Sequence, residues 1–238
     1  MKTIGLIGGM SFESTAVYYR MINEAVREHL GGLRSAEILL HSVDFQGIVD
    51  LQKAGDWTGA GKRLGEVAKG LENAGADCLL ICTNTMHLVA DAVQDAAGIP
   101  LLHIIDETAK ALRASGRHRP LLLATRYTME HGFYADRMDQ NGVSVMVPDA
   151  QDRSIVHDII FGELCAGKVL DASRDRLMTI IEKAKAAGAD SIILGCTEIC
   201  LILDPEKLPL PGFDSTAIHS QAAVQFALGL KSQAGLAA

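Results

Sequence analysis

The chain has 238 residues, a formal net charge of -7, 48% hydrophobic residues and only 5% aromatic ones. That length suits one large domain or two of ordinary size, and the apolar content excludes a disordered chain. An acidic balance with no long basic run argues against a nucleic-acid surface, and no stretch approaches the ~18 apolar residues of a membrane helix.

Lys2 to Ile7 is a short apolar run that ends at Gly8-Gly9. It reads as a buried parallel strand. Ser14 to Leu30 has apolar residues at helical spacing. Ile38 to Val43 reads as a second strand, Trp57 to Ala74 as a helix closed by Gly75, and Cys78 to Cys82 as a third strand. His87 to Ala97 (helix), Pro100 to Ile105 (strand) and Glu107 to Ala114 (helix) complete a first half. The pattern restarts with strand Pro120 to Ala124, helix Phe133 to Asn141 and strand Val143 to Val147. Arg153 to Cys165 and Ala172 to Ala187 read as helices, Ser191 to Leu194 as a strand, and Thr216 to Leu228 as a final helix. This alternation predicts an α/β fold of two similar, pseudo-symmetric domains with mainly parallel central sheets. The expected division is residues 1–115 with the returning segment 213–238, and residues 116–212.

An internal echo sharpens this. Ala74-Gly75-Ala76-Asp77 precedes an apolar strand, and so does Ala187-Gly188-Ala189-Asp190. Six residues beyond each Asp stand Thr83 and Cys196. Carboxyl ends of parallel strands are where α/β sheets place ligands. Two such halves facing each other would set these side chains on opposite walls of one cleft.

The five cysteines, Cys78, Cys82, Cys165, Cys196 and Cys200, are odd in number and show no C-x-x-C spacing. That pattern, with no leader-like start, predicts a reduced cytoplasmic protein without a structural metal. A thiol such as Cys196, ahead of a helix start, can have a lowered pKa and supply thiolate; the plain alternative is an inert buried cysteine, the reading given to Cys78 and Cys200. Cys82 adjoins Thr83, so in a strand the two point to opposite faces and Cys82 packs against the sheet. Asn84 and Thr85 bring donors to a helix start, suited to a carboxylate or simply to capping. His87 reads as a core or capping histidine. Gly8-Gly9-Met10-Ser11 is neither a dinucleotide nor a phosphate loop, and Phe213-Asp214-Ser215-Thr216 reads as a turn and N-cap. There is no G-x-S-x-G elbow and no clustered metal motif.

The segments Ile4–Ser11, Asn84–His87, Gly195–Glu198 and Phe213–Asp214, in this order, resemble the aspartate/glutamate racemase family over nearly the whole chain. The resemblance implies two similar α/β domains, an interdomain site, a homodimer, and no pyridoxal phosphate or metal. It implies two cysteines on opposite sides of the substrate Cα, one thiolate removing a proton and one thiol returning it. Here Cys196 matches the second, but Thr83 stands where members commonly carry Cys; an L-selective member that the chain resembles has the same threonine. By similarity Met10, Gln52, Asn84, Thr85, Cys165, Thr197 and Glu198 are substrate contacts. For Gln52 the alternative is a surface helix role, and for Cys165, which replaces a common Lys, core packing.

The expected function is cofactor-independent racemisation of aspartate or glutamate. Cys196 acts as thiolate base, and Thr83, or a water it holds, serves the opposite face. A one-cysteine decarboxylase or cis-trans isomerase of a small dicarboxylate is the main alternative. A non-catalytic amino-acid-binding protein is the other.

Overall fold

The structure, a computed structural model, describes residues 1–230. The last eight residues of the expected returning segment lie outside the described residues. The chain divides into two compact units: Met1–Ile104 with the segment returning from His219, and Ile105–Ile218.

In the first unit the elements run β1 (Ile4–Gly8), α1 (Phe12–Leu30), β2 (Ile38–Ser42), α2 (Phe45–Ala54), α3 (Trp57–Asn73), β3 (Cys78–Ile81) and α4 (Ala90–Ala96). The strands are parallel in the order β2-β1-β3. A single bridge joins Leu79 to Leu101 on the far side of β3. Alternate residues of β3 serve opposite faces, as the pleat requires. Leu79 and Ile81 pack into a cluster with Leu64, Val67 and Val93. Cys78, Leu80 and Cys82 pack with Tyr18, Ile22 and Val224. Helix α2 went unread in the sequence, yet Phe45, Ile48 and Leu51 recur at helical spacing and reach the first cluster.

In the second unit come α5 (Ile104–Ala114), β4 (Pro120–Leu123), α6 (Arg126–Glu130), α7 (Phe133–Gln140), α8 (Ala150–Asp158), α9 (Asp171–Ala186), β5 (Ser191–Leu194) and β6 (Gly212–Asp214). The final helix, α10 (Ser215–Leu228), carries the chain back. The parallel order is β4-β5-β6, and a bridge joins Leu121 to Met146 beyond β4. Counting the two bridges as strands, both units share one topology: the third strand lies beside the first, with the second and fourth outside.

The division falls at the first residue of α5, whereas the sequence reading put it after that helix. Asp106 on α5 accepts both arms of the Arg137 guanidinium at 2.7 Å and the Asn141 amide at 3.0 Å, which ties this helix to α7. The strands expected at Pro100 to Ile105 and Val143 to Val147 shrink to single bridges, because α5 starts at Ile104 and Pro148 closes the second run. The helix expected over Arg153 to Cys165 starts earlier, at an Asp149 side chain that accepts the Asp152 amide. It loosens into a π turn at Ile159–Glu163 and ends in the short turn Leu164–Ala166 before Gly167.

The echoed Ala-Gly-Ala-Asp segments do the same job in both units. Gly75 and Gly188 close the preceding helices with φ of 103° and 94°, a region glycine enters without a Cβ clash. Thr3 N–H donates to the Asp77 carboxylate (2.7 Å), while Asp77 N–H donates to Thr3 O (2.8 Å). Arg119 N–H donates to the Asp190 carboxylate (2.9 Å), while Asp190 N–H donates to Arg119 O (3.0 Å). Each aspartate thereby locks the start of the third strand to the start of the first. Cys82 N–H donates to Ile7 O and Gly195 N–H to Leu123 O, so the two registers still agree where the strands end.

Candidate active site

Beyond those matched strand ends stand Thr83 and Cys196, both partly exposed. Side chains from elsewhere brace each end. Ser14 Oγ–H on α1 donates to Cys82 O (3.3 Å), and Ser215 Oγ–H at the start of α10 donates to Leu194 O (2.9 Å). The chain then winds into short 3-10 turns, Thr85–Val89 in one unit and Thr197–Leu201 in the other.

In the first unit, the Thr83 carbonyl is 2.8 Å from His87 Nδ1. Asn84 and Thr85 are buried. Gln52, half-buried on α2, donates its amide to Met86 Sδ at 3.0 Å, so this candidate reaches the Asn84–His87 segment. Met10 is buried in the same apolar cluster as Met86. Its loop is tight: Gly9 has φ 89°, a Cβ there would fall 2.3 Å from Val43 O, and its N–H donates to Thr15 Oγ1. Thr83, Asn84, Thr85, Gln52 and Met10 thus belong to one unit, on the loops after β1 and β3 and on α2.

The second unit brings Cys196, Thr197 and Glu198 together. The Cys196 thiol donates to Glu198 Oε2 at 2.8 Å, and Thr197 Oγ1–H donates to the same oxygen at 2.8 Å. Desolvation first, then the charge of Glu198 and this hydrogen bond, push the Cys196 thiol well above its ordinary range. The helix start does not lower its pKa, contrary to the sequence reading. Cys196 leads into a five-residue 3-10 turn with a carboxylate in its first turn, which gives a thiolate little to lean on. Cys165 is exposed, so core packing does not describe it. It is near enough that charge on it would raise Cys196 further.

The remaining thiols divide cleanly. Cys82 is fully buried and burial raises its pKa, matching its packing on the sheet. Burial likewise lifts Cys78 to about 12. Cys200 is half-buried, and its thiol bonds the Asp214 carboxylate; burial and that charge hold it protonated. Asp214 also accepts the Thr216 and Ala217 amides, so the N-cap read at the start of the final helix is present. Among the described residues, no group of three or more His, Cys, Asp or Glu is placed to hold a metal ion. No described helix is long and apolar enough to cross a membrane.

Two contacts went unread in the sequence: Glu198 on the thiol and His87 on the Thr83 carbonyl. Their spacings, two and four residues from the catalytic candidates, were the available signal.

With this geometry stand the family comparisons. The family model for Asp/Glu/Hydantoin racemases matches residues 7–223. The chain belongs to this racemase family. A solved structure from Yersinia pestis, provisionally described as an Asp/Glu racemase, is 50% identical, covering 96% of this chain and 100% of that one, with a TM-score of 0.92. An aspartate racemase homologue from Pyrococcus horikoshii is 34% identical over the same shares, with a TM-score of 0.86. The broad specificity amino-acid racemase RacX of Bacillus subtilis is 23% identical, covering 96% of this chain and 100% of its own. Membership in this racemase family accounts for the α/β fold with its two parallel three-stranded sheets.

Proposed function

We propose that the protein racemises aspartate or glutamate without a cofactor, with Cys196 exchanging the Cα proton on one face and Thr83 serving the other. The observation that carries this is the matched placement of the two residues. Each comes after the third strand of the same topology, six residues beyond an aspartate that makes the same reciprocal lock.

The hydrogen bond between Cys196 and Glu198 refines the chemistry. At rest the thiol is protonated and donates to the Glu198 carboxylate. Cys196 becomes a base when Glu198 Oε2 takes its proton, leaving thiolate beside carboxylic acid. The thiolate then removes the Cα proton of the L enantiomer, and the electron pair delocalises into the substrate carboxylate. A proton reaches the opposite face from the Thr83 hydroxyl or from a water bound to it. Solvent restores that proton, and the acid on Glu198 releases its own. Threonine is too weak an acid to form alkoxide easily, so a relay through water fits it better than direct transfer. Donors around Asn84, Thr85 and Thr197 would hold the substrate carboxylates and stabilise the enolate. A homodimer in the cytoplasm is part of the same proposal.

A second reading has one observation in its favour. A thiol held protonated is poised to donate, which suits a one-cysteine decarboxylase that protonates an enolate.

One experiment addresses both readings. Proton NMR of L- and D-aspartate and L- and D-glutamate in D₂O, with chiral chromatography, should show loss of the Cα proton and appearance of the other enantiomer. Cys196→Ala should abolish both. Undiminished exchange in that variant would falsify the role of Cys196. Carbon dioxide release from a substituted malonate, without amino-acid exchange, would favour the decarboxylase.

A further inference from the structure

His87 lies directly beneath the Thr83 turn and is almost fully buried. Both ring nitrogens have partners. Nδ1 is 2.8 Å from the Thr83 carbonyl, and Nε2 is 3.3 Å from the Ile104 amide. A backbone N–H can only donate, so Nε2 must be the acceptor. The ring proton is then on Nδ1 and is donated to Thr83 O. One neutral tautomer satisfies both partners; the other satisfies neither.

The ring is itself held. His103 packs edge-on at 4.6 Å between centroids, and His219 at 5.7 Å. His219 is fixed by similar logic: its Nε2–H donates to Leu102 O (2.7 Å), and its Nδ1 accepts from the Tyr18 hydroxyl (2.9 Å). Leu102 in turn donates its amide to Leu79 O on β3. The network runs from α1 and α10 through the segment after β3 to the turn bearing Thr83. Ile104 and His219 are also where the chain leaves and re-enters this unit.

We infer that His87 is a positioning residue for the Thr83 face of the reaction, setting the turn that presents the Thr83 hydroxyl through its Nδ1–H bond to the Thr83 carbonyl and its Nε2 bond from Ile104. The inference rests on the role proposed above for Thr83. It predicts a defect in one half-reaction only. Abstraction and return of the proton by Cys196 continue, whereas delivery from the opposite face fails. In D₂O, deuterium enters the L substrate with retention, but inverted product lags.

The readout is the ratio of retained to inverted deuterated product from L substrate. His87→Gln puts an amide near the Nε2 position and leaves Thr83 O without its donor. This ratio should rise on the order of tenfold, because a shift of about an ångström at a reacting group costs up to ~100-fold. His87→Asn places a donor near the Nδ1 position and should keep the ratio within about twofold of the wild type. A purely structural role would lower both products together and leave the ratio unchanged in either variant, which would overturn the inference. An equal rise in both variants would overturn it too. Thr83→Ala serves as the reference: if it leaves the ratio unchanged, the reading of Thr83 fails. His87 is then judged by a measurement that needs no turnover, long-range proton–nitrogen NMR of its ring in the intact protein. A proton on Nδ1 and a bare Nε2 support the bonding scheme; the opposite tautomer or an imidazolium at neutral pH overturns it.

Discussion

Acid should destabilise this protein in a window set by one buried histidine. His219 is completely buried, with Leu102 O on one nitrogen and the Tyr18 hydroxyl on the other. Burial lowers its pKa from 6.5 to about 4, opposed in part by the bond to Leu102. Between those values the unfolded chain takes up a proton on this residue and the folded chain does not. The unfolded state then binds more protons, so stability rises with pH across the window. The contribution is complete above about pH 6.5 and is lost as pH falls toward 4. The gap from 6.5 to about 4, at ~1.36 kcal/mol per pH unit, bounds it at about 3 kcal/mol. Urea unfolding from about pH 4 to about pH 7 measures it, with His219→Gln as the reference. Glutamine keeps a donor near Nε2 but does not titrate. The wild type should gain on the variant by up to about 3 kcal/mol as pH rises through the window. Parallel pH profiles for the two proteins would refute the reasoning.

Two further predictions concern the loops around the candidate site. Glu198→Gln removes the charge beside Cys196 and leaves only a weaker, neutral amide acceptor, so its thiol should ionise at lower pH than in the wild type. Alkylation rates resolved at Cys196 by mass spectrometry check this, and an unchanged pH profile would contradict it. If Glu198 takes the thiol proton, racemisation should still fall by about 100-fold or more in that variant, although thiolate forms more easily. Gly9→Ala should cost about 2–4 kcal/mol by denaturant unfolding, because it joins a positive φ to a backbone collision with Val43. Gly55→Ala, in the left-handed helical region (φ 68°, ψ 16°) with open space around it, should cost only about 1–2 kcal/mol. Equal losses at the two positions would count against the close approach.

Much of the fold could be read along the chain because its signals are local. Short apolar runs became β1, β3, β4 and β5, and helical spacing became α1, α3 and α9. The run at Pro100 to Ile105 has the composition of a strand, but the Ile104 amide is taken by His87 and the backbone turns into α5. The short strand β6 lay hidden in the segment Phe213 to Thr216, which reads as a turn and N-cap and in which Asp214 does cap the helix. At the site, the echo drew attention to Thr83 and Cys196, and adjacency in a strand placed Cys82 in the packing. The sequence could not show that Met10 is buried in the same apolar cluster as Met86, nor that Gln52 reaches that methionine from α2.

The sequence by itself determined the alternation of strands and helices, the duplicated aspartate turns and the residue type that comes after each third strand. These depend on periodicity and on neighbours a few positions away. The tertiary structure decided which protons those residues hold. Whether Cys196 rests as thiol or thiolate depends on how far it is removed from water and on how close a carboxylate approaches. Which nitrogen of His87 carries a proton depends on an amide seventeen residues further along the chain. Ionisation and tautomer are set by fields and partners acting through space, and only a folded chain has them.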